Sequence, residues 1–201
     1  MRASNAERAA GLRHAAGGSP ISMPGSIRYQ STAHSVADQG SIILGIDIGA
    51  SGAIALLTGA GELVDVFDMP VLADGPSGRR AVNAPLLAEI IFKHASKAFV
   101  EFVGPRPGEG AVGAFAFGRS RGVVEGVLGA AGVRATTTAP AACKRAVGLP
   151  AGPEGAKDAA RSEAIRRWPA KAALFARVKD DGRAEAALIA VAGLLREARH
   201  V

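Results

Sequence analysis

The chain has 201 residues, the size of one ordinary domain with room for a tail, and carries a formal net charge of +6. Hydrophobic residues make up 48% of it but aromatic ones only 4%, so Ala, Val, Ile and Leu must fill the core. No apolar run reaches the ~18 residues of a membrane span, and the single Cys143 excludes an internal disulfide and a cysteine-built metal site. A soluble, cytoplasmic protein without a membrane partner is therefore expected, and its basic balance suits an anionic partner such as nucleic acid.

Residues 1–40 are rich in Gly, Ser and Ala, lack a hydrophobic period and read as a disordered N-terminal arm. They hold four arginines against two acids, so the rest of the chain, with 20 bases and 16 acids, carries most of the positive excess. Residues 41–201 are expected to form the folded domain. Its first stretch, Ile42 to Leu57, has an apolar run, one acid, a small-residue turn and a second apolar run. Strands are predicted at 42–48 and 53–58, then across Gly59-Ala60-Gly61 at 62–68. The polar segment 71–82 reads as a loop. A helix capped by Asn83 is predicted to run to about Ala95, with Leu86, Leu87, Ile90 and Ile91 on one face.

A fourth strand at 98–103 repeats the pattern of the first, an acid inside an apolar run. After a stiff Gly/Pro loop at 104–110, residues 112–131 read as a helix despite the glycines at 113, 118, 122, 126 and 129. Each costs about 1 kcal/mol against alanine, which suggests close packing on the sheet or on a partner. A fifth strand at 133–137, a short helix at 140–147 opened by Pro140, a linker at 148–155, a helix at 157–167 and a last helix at 182–198 complete the order. The apolar side of that last helix is assigned to Ala186, Leu188, Ile189, Ala192 and Leu195. The alternation predicts an α/β domain with a mixed sheet of about five strands flanked by helices.

The acids carry the chemistry. Asp47 is the only charge in the first buried-strand stretch, and Glu101 sits likewise in the fourth. An ionised carboxylate in a core strand needs a cation or strong donors, although Asp47 could instead cap the following turn. In the last helix, Asp181 and Glu185 share a face, whereas Asp180 is turned about 140° from Glu185. The plainer alternative makes Asp181 a helix N-cap and Glu185 a solvated charge paired with Arg183 or Lys179. Converging carboxylates repel by about 4 kcal/mol at ~4 Å and an effective dielectric of 20. With no cysteine site to hold a metal, Mg²⁺, or Mn²⁺ in its place, held by oxygen is the natural partner. A pair of such ions activates water for phosphodiester hydrolysis.

Five pieces stand in order: Ile43-Leu44-Gly45-Ile46-Asp47-Ile48-Gly49-Ala50-Ser51-Gly52, Val100-Glu101-Phe102-Val103, Phe117-Gly118-Arg119-Ser120 with Gly122, Thr138-Ala139-Pro140 with Lys144, and Asp181-Gly182-Arg183-Ala184-Glu185-Ala186. Together they resemble the RuvC-type Holliday junction resolvases, the phage and prophage-like branch most closely, over about residues 42–195. The resemblance implies a ribonuclease H-like fold, a homodimer, and Mg²⁺-dependent paired nicking of four-way DNA junctions. Asp47, Glu101, Asp181 and Glu185 fall on the family's four metal-binding acids, and Lys144 on its basic catalytic position. Arg106, Arg119, Arg121, Lys144, Arg145 and Lys157 are the candidates for DNA phosphates.

Some positions depart from the family pattern. Glu185 stands where many relatives have Asp, four rather than three residues after its partner, and Cys143 stands where many have Trp. The aromatic that classical members carry just beyond the strand-four glutamate is not evident, with Phe115 and Phe117 following later. Two other readings fit parts of the sequence. One is a fragment of an actin/sugar-kinase-like ATPase, whose first phosphate turn resembles Asp47 to Gly52. The other is a catalytically inactive junction-binding relative.

Overall fold

A computed structural model describes residues 41–74, 78–102, 104, 108–150 and 156–199, the side chains of 156 and 157 excepted. The arm expected at 1–40, Arg106, Val103 and most of the 148–155 linker lie outside the described residues. The described chain contains seven strands, β1 (Ile42–Asp47), β2 (Ala53–Thr58), β3 (Leu63–Asp68), β4 (Val71–Ala73), β5 (Arg80–Val82), β6 (Lys97–Glu101) and β7 (Arg134–Thr138). Its α-helices are α1 (Ala84–His94), α2 (Ala111–Ala130), α3 (Pro140–Ala146), α4 (Ala156–Arg167) and α5 (Asp181–Ala198).

The main sheet has five strands in the order β3-β2-β1-β6-β7. β1 pairs antiparallel with β2 and parallel with β6, and β6 pairs parallel with β7. This is the mixed α/β sheet that the alternation of elements predicted. β1 lies at its centre, which is why the run is apolar on both faces. Leu44 and Ile46 join Ile54, Leu56, Ala98 and Val100 under Leu87 and Ile91 of α1 and Val124 and Leu128 of α2. On the other face Ile43, Ala55, Leu57 and Phe99 pack with α5 and α4.

Small residues let α5 lie almost on the sheet. A Cβ added at Gly45 would fall 2.0 Å from the Ala186 carbonyl oxygen, and one at Gly193 would fall 2.1 Å from the Phe99 ring. Gly182, Ala186, Ala190 and Gly193 thus form the stripe along which α5 crosses β1 towards β6. Its first turn lies by the C-terminal end of β1, while Glu197 near its other end pairs with Lys97 at the start of β6, 2.7 Å away.

The structure corrects several expectations. The segment 71–82 is not a plain loop: β4 and β5 pair antiparallel as a two-stranded sheet, with Val82 in the core beside α1. The chain between α4 and α5 forms 3₁₀ turns at Pro169–Phe175 and Val178–Asp180 that the hydrophobic period did not signal. Trp168 anchors this segment by donating from its indole to the Gly61 carbonyl at 3.2 Å, and Phe175 is fully buried beside it. Helix α5 is not one-sided. Residues 186–193 are buried all round, because α3 and α4 cover the side away from the sheet, and Leu195 is the exposed one. Leu86, placed on the apolar face of α1, is exposed, while Leu87 and Ile91 carry the packing and Asn83 caps the helix through the Leu86 amide. In α2 the glycines at 118, 122, 126 and 129 do not meet the sheet, since a Cβ at any of them would meet nothing within 4 Å among the described residues.

Candidate active site

β1 and β6 each end in an acid. In the parallel register Gly45 pairs with Phe99 and Ile46 with Val100, so Asp47 and Glu101 follow as the next pair. Both continue the odd-numbered side of their strands, the side that faces α5. Glu101 in turn pairs with Thr138 of β7. Three neighbouring strands therefore present Asp47, Glu101 and Thr138 in one row at their carboxyl ends, where open α/β sheets bind ligands. Asp47 leads into a turn held by the Gly52 amide, which donates to the Gly49 carbonyl at 3.1 Å. Gly49, with a φ of 141°, supplies the backbone that turn requires.

Helix α5 starts beside this turn. A Cβ at Gly182 would fall 2.6 Å from the Ser51 carbonyl oxygen and 3.4 Å from a carboxylate oxygen of Asp47. Glycine is thus what allows the first turn of α5, which carries Asp181, to reach the end of β1. One turn further on, Glu185 lines a cleft of about 30 Å³ with Glu101, Lys144 and Cys143, closed by Leu188 and Ile189. The cleft brings together an acid from β6, an acid from α5 and the lysine of α3, three elements far apart in sequence.

Two arginines hold the start of α5. Asp180 is 2% exposed and accepts from the Arg177 amide at 2.8 Å and from its guanidinium at 2.8 and 3.1 Å. These hydrogen bonds hold its carboxyl below the usual value against the opposing effect of burial. Arg183 forks onto Asp68 at the end of β3, at 2.5 and 2.8 Å, and so ties the first turn of α5 to the far side of the sheet. The N-cap of α5 is Asp180, not Asp181. Its helical position turns Asp180 away from Glu185. The signal available was the three-residue spacing of Arg177 and Asp180.

The donor chemistry fits a hard divalent cation. Asp47, Glu101, Asp181 and Glu185 offer only oxygen. Cys143, the one soft donor in the cleft, is kept protonated: burial, then the Glu101 charge, push its thiol up to about 11. The close approach at Gly182, which a side chain would fill, brings α5 to the carboxylate of Asp47. Among the described residues no three His, Cys, Asp or Glu side chains are gathered tightly enough to form a ready-made metal cage.

The basic candidates separate. Lys144 lies in the acidic cleft, while Arg145 points to a groove on the other side of α3. Arg119 pairs with Asp74 at 2.5 Å. Arg121 pairs with Glu125 at 2.7 Å and lies over the ring of Phe102, 4.5 Å from its centre. Lys157 falls in the first turn of α4. An aromatic does stand beside Glu101: it is Phe102, 44% exposed, whereas Phe117 packs on the core and Phe115 projects from α2 at 73% exposure.

No family model and no curated protein matches this chain. Among solved structures it is similar to Thermus thermophilus RuvC in complex with a Holliday junction substrate, at 16% identity and a TM-score of 0.53. It is also similar to a further Thermus thermophilus RuvC structure, at 17% identity and a TM-score of 0.50. Each comparison covers 79% of this chain and 96% of the other. At that identity the likeness is one of fold: the five-stranded mixed sheet with its flanking helices is the RuvC-like, ribonuclease H-like fold.

Proposed function

We propose that this chain is a metal-dependent, structure-selective endodeoxyribonuclease that resolves four-way DNA junctions by paired phosphodiester hydrolysis. The observation that carries the reading is the convergence at the carboxyl ends of β1 and β6. Two strand-end acids in adjacent register meet a helix that is brought to them by Gly182 and carries two more. Asp47, Glu101, Asp181 and Glu185 would hold Mg²⁺ or Mn²⁺, which when bound supply activation of a water and charge stabilisation at the leaving oxygen. Lys144, in the same cleft as Glu101 and Glu185, places a positive charge where a scissile phosphate enters. The net charge of +6 favours association with DNA, and one of the structural neighbours was solved on a Holliday junction.

A homodimer belongs to the same reading. The outward glycines of α2, together with exposed Val112 and Phe115, form a face that suits a second copy, and two-fold symmetry would match that of a four-way junction.

The test is Asp47→Asn, measured by single-turnover nicking of a synthetic junction, junction affinity and melting temperature on one preparation. Losing several kcal/mol of transition-state stabilisation lowers the rate about a thousandfold or more, at about 1.36 kcal/mol per tenfold. Affinity is expected to hold or rise slightly, because binding rests on Lys and Arg contacts to phosphate. Melting temperature should hold or rise as carboxylate repulsion is relieved. A variant that still cuts within about tenfold of wild type removes Asp47 from the site. Junction binding by a wild-type protein that never cuts in Mg²⁺ or Mn²⁺ points instead to an inactive relative.

A further inference from the structure

Helix α3 separates two cavities of opposite character. Cys143, Lys144 and Val147 face the acidic cleft. Ala142, Arg145 and Ala146 face a groove of about 490 Å³, whose other wall is Ala192, Arg196 and Arg199 of the C-terminal half of α5 and whose end is Thr138. No acid lines it. Arg196 and Arg199 are three residues apart and so share a helix face, and the alanines below them leave the space open. Among the described residues, none of these three arginines forms an ion pair, and Glu197 between two of them is engaged with Lys97.

The independent observation is Thr138. It is 8% exposed, its side-chain oxygen has no hydrogen-bond partner, and it lines this groove. A buried hydroxyl without a partner is unfavourable, and the three exposed arginines that line the same groove give it a positive field that water and salt screen only in part. One ligand answers both: a tetrahedral anion whose oxygens accept from the hydroxyl and from planar guanidinium donors. We propose that the Thr138–Arg145–Arg196–Arg199 groove is a phosphate-binding site that holds a backbone phosphate of the DNA strand beyond the acidic cleft. The assignment to DNA rests on the nuclease reading above. The neighbouring residues Lys144 and Arg145 would then hold the strand on the two sides of α3. Of the four groove residues, only Arg145 is a DNA candidate from the sequence alone.

The test uses the full chain, the double variant Arg196→Gln/Arg199→Gln, and Thr138→Val. Melting temperature is followed against inorganic phosphate, with chloride balancing ionic strength, and junction affinity is followed against salt. In wild type, phosphate should raise the melting temperature. The double variant should lose that response, and its plot of log affinity against log salt should become shallower by about 0.9 for one lost phosphate contact. Thr138→Val should weaken the phosphate response while melting no lower than wild type without phosphate, since a methyl replaces the unpartnered hydroxyl. A phosphate response that survives in the double variant overturns the site. A response that is lost while the salt slope is unchanged overturns the assignment to DNA in favour of a free phosphate. If wild type binds no branched DNA, the nuclease reading fails, and the phosphate arm still decides the groove.

Discussion

At the scale of single residues, the least obvious member of the site region is Asp180. It is not among the residues that line the acidic cleft, yet it is buried against Arg177 and lies directly before Asp181. Its charge is held by hydrogen bonds that are not available to the unfolded chain. Asp180→Asn is expected to lower stability by about 1–2 kcal/mol near neutral pH, at the modest end for a charged hydrogen bond because the Arg177 side chain is half exposed. The folded carboxyl titrates below its ordinary 3.8, so its contribution is present above that pH and is lost as the pH falls through the folded value. Wild type and variant should therefore differ in melting temperature at pH 7 and converge at pH values below 3.8. A gap that stays constant to the lowest measurable pH would remove the ion pair as its cause.

At the scale of elements, the contact between β1 and α5 brings the first turn of α5 beside the end of β1 and sets Glu185 in one cleft with Glu101. That contact has no slack at Gly45. An alanine there would press on the backbone of α5 at Ala186 and Ala190, which cannot rotate away as a side chain could. Gly45→Ala should cost about 3 kcal/mol or more, the upper end for an overpacked core, and lower the melting temperature by roughly 6–12 °C at 2–4 °C per kcal/mol. A loss of under a degree or two in a thermal melt would show that α5 can move off the sheet. The glycines of α2 make the opposite case. At 118, 122, 126 and 129 the absent side chains relieve no contact within the described residues, so helix propensity is given up there without any gain in packing on the chain's own core.

At the scale of the whole molecule, the described residues all belong to one unit, Asp38–Val201, and no helix among them is long and apolar enough to cross a membrane. We expect deletion of residues 1–40 to leave melting temperature, metal-dependent junction nicking and a dimeric mass by light scattering unchanged, because those residues lack the apolar period that packing requires. A fall of many degrees would show that the arm packs on the domain. Light scattering that gives a monomer for both lengths, with junction bound, would instead separate the nuclease reading from the symmetric one.

The sequence by itself determined the order of the elements, because each signal is local. Alternation or continuity of apolar residues marked β1, β2, β3, β6 and β7, and Asn83 and Pro140 marked helix starts, with bounds within about two residues of those observed. It also put acids in β1 and β6 and on the first turns of α5, but inside the two strands, whereas Asp47 and Glu101 are their last residues. Short elements escaped it: β4 and β5 are three residues each, too few for a period, and the 3₁₀ turns before α5 are held by Trp168 and Gly61, which are 107 residues apart. Only the tertiary structure decided which charges meet. Arg183 finds Asp68 across 115 residues, Arg119 is drawn to Asp74, and α3 sends Lys144 and Arg145 to opposite cavities. Such pairings depend on where packed elements bring distant side chains, and a local period carries no information about that.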